Sequence, residues 1–160
     1  AENVNVIIGA GTLALLVHAV RLGRWYRPGI LALPLIWVMH LAYAWLLVSI
    51  LLRVLSAWSP VVPVSASVHA FTVGAVGLMQ LGLLCRIALR HTGRLLIAPR
   101  PMVFAMFVML AAAVLRVAGV FAPSSPLSNA AAVLWLVPAL IYLACHGRML
   151  LSPSLPEAAH

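Results

Sequence analysis

The residues of this chain equipped for chemistry are histidines and arginines set inside apolar stretches. His40 lies in Trp-Val-Met-His-Leu-Ala-Tyr and His69 in Ser-Val-His-Ala-Phe-Thr. An imidazole in such a setting is expensive, so it faces a partner, a cavity or a cofactor. At 1.5 Å of rise per residue, His40 lies about 20 Å in from Arg27, and His69 about 9 Å in from Pro63 on the opposite side. On consecutive antiparallel helices crossing an apolar layer about 30 Å thick, the two depths agree to within one or two turns. Neutral imidazole ligates haem iron and copper, which makes the two histidines a candidate haem axial pair or a pair of metal ligands. The other reading has each ring hydrogen-bonded to a neighbouring helix or a buried water.

A second group gathers where the third apolar run ends, at Arg86, Arg90, His91 and Arg94. Planar guanidinium groups beside an imidazole suit haem propionates or another anion; contact with lipid headgroups is the alternative. His18 and His146 fall at the same end and read as interfacial. Met102, Met106, Met109 and Arg116 share one helical face. Thioethers suit Cu(I), although a methionine stripe also fills gaps in a packed core. Arg116 can snorkel outward or neutralise a buried anionic group. Cys85 and Cys145 lie far apart in apolar runs, without the spacing of a disulfide or Cys-x-x-Cys motif. The only acids are Glu2 and Glu157, so there is no intramembrane base or orienter for hydrolysis.

The elements that must hold these residues are membrane helices. The chain is 65% hydrophobic and 8% charged, against about a quarter charged in soluble domains. Its formal charge of +8 comes from ten arginines and no lysine. Basic residues flanking apolar spans follow from topology in a lipid bilayer, and nucleic acid is excluded as a partner. Five stretches reach the length needed to cross, at about 4–22, 30–55, 64–89, 102–121 and 128–146. Together they predict an all-α polytopic bundle of five transmembrane helices, forming a single domain over 1–151 with a short cytoplasmic tail at 152–160. Pro34 is tolerable in the first turns of the second span, and Pro138 predicts a kink in the fifth. Ser128 or Asn129 is the expected cap of that fifth span, and Gly93 the stop of the third. In the third span, Ser67, Ala70, Gly74 and Gly77 form a small-residue face for close helix packing, with His69, Thr72, Val73, Val76 and Gln80 on an adjacent face. When five spans alternate, all arginines but Arg53 and Arg116 fall on one side. That side is expected to be cytoplasmic, with the N-terminus outside and the C-terminus inside.

These residues resemble a known family. His69-Ala-Phe-Thr-Val-Gly-Ala-Val-Gly, continuing through Arg86-x-Ala-Leu-x-His-Thr-Gly-Arg94, is similar to the NnrS family of haem- and copper-containing bacterial membrane proteins linked to nitric oxide stress. Trp37-Val-Met-His-Leu-Ala-Tyr43 and Ala112-Ala-Val-Leu-Arg116 fit the same family in the same order. The likeness runs from the loop before Pro28 to about Arg116, within the later half of the family pattern. Leu78 stands where the pattern often has glycine, and Arg90 where it has a small residue.

The resemblance implies b-type haem, with copper as a further cofactor, a place in the bacterial inner membrane, and a role against nitrosative stress. The family's histidine positions map onto His40, His69 and His91. On this reading His40 and His69 hold the metal, and Arg86, Arg94 and Arg116 steady anionic charge. The chemistry is ligand binding or electron transfer. A cofactor-free accessory subunit, packed against a partner membrane subunit or a second copy, is the alternative. A transporter or channel would require a hydrated path, and the lack of buried carboxylates argues against cation passage.

Overall fold

The structure, a computed structural model, describes residues 3–154. Five helices carry the fold: α1 (Val4–Trp25), α2 (Pro34–Trp58), α3 (Val64–His91), α4 (Arg100–Phe121) and α5 (Leu127–Leu150). Each is long and apolar enough to cross a membrane, and the described residues contain no strand. Of the expected tail, residues 155–160 lie outside the described part, as do Ala1 and Glu2.

Local sequence explains where the helices begin and end. Asn3 caps α1, its side chain accepting from the Asn5 and Val6 backbone N–H groups at 3.1 and 3.4 Å. The second span starts later than expected. Ile30–Ala32 forms a single 3-10 turn, and α2 begins only at Pro34, because the residue before a proline is held extended and proline suits the first helical position. Gly93 stops α3 with a φ of 70°. Pro126 rather than Ser128 or Asn129 occupies the N-cap of α5, and no side chain bonds there. Pro138 lies buried inside α5, which continues past it to Leu150.

Packing relies on glycines that admit a neighbour's side chain. Gly11 of α1 receives Val54, Gly74 and Gly82 of α3 receive Trp45 and Val38 of α2, and Gly77 receives Met109 of α4. Gly119 of α4 backs onto Ser128 at the start of α5. The core lies among α2, α3 and α4, where Val38, Leu78, Cys85, Met102 and Met106 are buried. The methionine stripe is thus packing material. No residue of α1 is buried; it leans chiefly on α2.

The centre of α3 is not α-helical. Ala70–Gly77 is wound as a π-helix of eight residues. Such segments are rare, and many occur at functional sites. This one starts at the residue after His69.

Candidate functional sites at opposite ends of the bundle

His40 stands about two turns inside α2. Its Nδ1 lies 3.0 Å from the Ile36 carbonyl and its Nε2 3.4 Å from the Trp25 carbonyl. A neutral imidazole has one N–H to donate. Both ring nitrogens face backbone carbonyl oxygens, and the Nε2 contact is the longer of the two. The half-buried ring forms part of the wall of a cavity of about 590 Å³ between α1 and α2, with Gly23, Tyr26, Ile30, Trp37 and Leu47 among its lining residues. That wall is overwhelmingly apolar.

His69 belongs to a different place. The contacts of Gly74 with Trp45 and of Gly82 with Val38 fix the antiparallel register of α2 and α3. In that register His69 is level with Ile50 and Leu51, and His40 with Met79 and Gln80. The two imidazoles are therefore separated by about 15 Å along the helix axes, and the structure does not bring them together as an axial pair. The expected depth for His40 was too great because it counted residues 28–33 as helix, whereas α2 starts at Pro34. What His69 has nearby is Arg116 of α4: the contact of Gly77 with Met109 sets the antiparallel register of α3 and α4, and in it His69 is level with Arg116 and Val117. Arg116 in turn lines a cavity of about 140 Å³ with Val73, Ala131, Ala132 and Trp135.

At the arginine-bearing end, His91 is exposed beyond the core. Arg86 and Arg94 are half-buried, and an Arg94 Nη donates to the Thr92 carbonyl at 3.5 Å. The two histidines read as interfacial are both engaged. The His18 ring nitrogen meets the Tyr43 hydroxyl, and Tyr43 also contacts Trp25, over which the Arg21 guanidinium sits at 4.4 Å. His146 is only 1% exposed. It stacks on Tyr142 with centroids 4.9 Å apart, and its Nε2 lies 3.6 Å from the buried Cys85 Sγ. Sequence reasoning missed this Cys85–His146 contact. The available signal was their similar distance from the arginine-bearing ends of α3 and α5. Both cysteines are free. Among the described residues, no group of three or more His, Cys, Asp or Glu is placed to hold a metal ion.

Five apolar helices, with His40 on the second, His69 and His91 on the third and Arg116 on the fourth, are the frame on which the sequence comparison falls. Residues 4–154 match the family of the NnrS protein. The chain belongs to the NnrS family. The match takes in α1 and α5 as well as the motif-bearing helices between them. Membership makes this NnrS-family chain a multi-pass membrane protein related to the nitric oxide response. No curated protein and no solved structure matches it.

Proposed function

We propose that this NnrS-family protein binds b-type haem in the bacterial inner membrane, with His40 as the one residue of this chain that would hold its iron. The observation that carries the reading is the place of His40: its ring is on the wall of an apolar cavity of about 590 Å³, with Nδ1 held 3.0 Å from the Ile36 carbonyl and Nε2 in a longer, 3.4 Å contact with the Trp25 carbonyl that a metal would replace. A backbone bond to one nitrogen of a metal-binding histidine fixes the tautomer and orients the other. The cavity volume falls within the roughly 300–1,000 Å³ typical of cofactor sites. A single-histidine mode fits these residues, whereas a mode needing both His40 and His69 does not. Bound haem supplies an iron at which nitric oxide can be ligated.

The chain's own residues do the rest. Trp37, Leu41 and Leu47 would give the bound group an apolar wall. Arg24 and Arg27, with Arg86, Arg94 and His91 at the same end, provide positive charge for carboxylates emerging there. That end faces the cytoplasm and the N-terminus lies outside, as the arginine distribution favours. Copper is the alternative metal for His40.

The test is an absorption spectrum of detergent-purified protein, oxidised and reduced, with metal analysis. A Soret band is expected in the parent and in His69→Ala, and its loss in His40→Ala. A band that survives His40→Ala, or protein without iron or copper, overturns the proposal. The accessory-subunit reading draws on α1, whose residues are all left unburied by this chain. It predicts a stable co-purifying membrane partner or a second copy, and no stoichiometric metal.

A further inference from the structure

Arg116 presents an electrostatic problem that the haem reading does not resolve. It lies in the last third of α4, at the opposite end of the bundle from the other arginines except Arg53. Its neighbour across the helix pair, His69, carries no negative charge to offset it. Residues 3–154 contain no aspartate or glutamate, so no carboxylate in the described structure can pair with the guanidinium. Arginine in a membrane-spanning segment is costly unless it is paired or hydrated. Here it opens onto a cavity of about 140 Å³ lined by Val73 of α3 and by Ala131, Ala132 and Trp135 of α5. The π-helical stretch begins at Ala70, beside His69, and carries Val73 to the cavity wall.

We propose that Arg116 binds a small inorganic anion, a halide or compact oxoanion, in this cavity, with His69 beside it on α3. Arg116 supplies the charge and a planar fork of N–H donors, while His69 offers a further N–H. Alanine side chains leave room, and the Trp135 ring forms one wall. The same chemistry could be satisfied by the phosphate of a lipid headgroup reaching down to Arg116. The inference is independent of haem, because His40 lies about 15 Å further along the bundle.

Trp135 provides the readout. Iodide is titrated into delipidated protein in nonionic detergent, replacing gluconate at constant ionic strength, and Trp135→Phe isolates that residue among the five tryptophans. The expected result is saturable quenching of Trp135 that chloride competes away. Arg116→Lys should keep saturation, and Arg116→Gln should weaken it by roughly tenfold or more, the scale of a lost charge-assisted hydrogen bond. Quenching that rises linearly, with the same slope in Arg116→Gln, overturns the proposal. Phosphorus analysis before delipidation separates the sources. Phospholipid retained by the parent and lost in Arg116→Gln identifies a headgroup as the anion in the membrane, whereas saturation without any such lipid identifies a free ion. If Arg116→Gln does not fold, chloride competition in the parent and the behaviour of Arg116→Lys still decide; absence of competition refutes the site.

Discussion

Gly74→Ala should loosen the bundle at a point where α2 and α3 approach closely. A Cβ on Gly74 would sit 2.5 Å from two ring atoms of Trp45 and 2.7 Å from a third. Ordinary contact starts at 3.4 Å, so the indole or the two helices must give way by roughly 1 Å, an overpacking that costs about 1–3 kcal/mol. The ring is rigid, which leaves backbone separation as the main route. Gly9→Ala is the matched control, because a Cβ there meets nothing within 4 Å, and replacing a glycine inside a helix gains about 0.5–1 kcal/mol. The two substitutions should therefore differ in sign. Equilibrium unfolding in mixed micelles, followed by far-ultraviolet circular dichroism and tryptophan fluorescence, measures both. Adding Trp45→Leu should recover much of the loss, giving a coupling of about 0.5–3 kcal/mol in a double-mutant cycle. If Gly74→Ala is as stable as Gly9→Ala, or if the double variant is simply additive, the close approach of Trp45 to Gly74 is refuted.

Removing the Asn3 side chain with Asn3→Ala should cost α1 about 0.5–2 kcal/mol and speed hydrogen exchange at the Asn5 and Val6 amides, which donate to it; unchanged exchange would count against the cap. Cys85 is fully buried and Cys145 half-buried, so a maleimide should label Cys145 in the folded protein and Cys85 only on unfolding. Rapid labelling of Cys145→Ser without denaturant would contradict the packing of Cys85 against His146.

Much of the architecture was legible because each span answers to one local quantity, hydropathy sustained over a membrane's thickness. Boundaries set by single residues were legible too, as with Gly93. The start of α2 lies four residues beyond the expected one. The proline was placed within the first turns, whereas its hold on Leu33 makes it the start itself. That error carried into the depth of His40 and so into its supposed meeting with His69. Burial of His146 had no local signature, since it arises where α3 and α5 bring Cys85 and Tyr142 around one ring. Arg116 is legible as a charged residue in an apolar span, but its cavity is built largely by α5, a helix whose contribution is not written near Arg116 in sequence.

The π-helical stretch has a consequence for angular phase. Bonds from i to i+5 wind about 4.4 residues per turn rather than 3.6, so eight such residues lag an α-helix by roughly 140°. His69, Thr72, Val73, Val76 and Gln80, one face on a uniform helix, are divided as a result. Val73 turns to the Arg116 cavity, while Val76 and Gln80 line the groove against Tyr43 and Leu46 of α2. A single helix thereby addresses two separate neighbourhoods, and a one-residue deletion within Ala70–Gly77 would swing one of them about 100° out of alignment with the other.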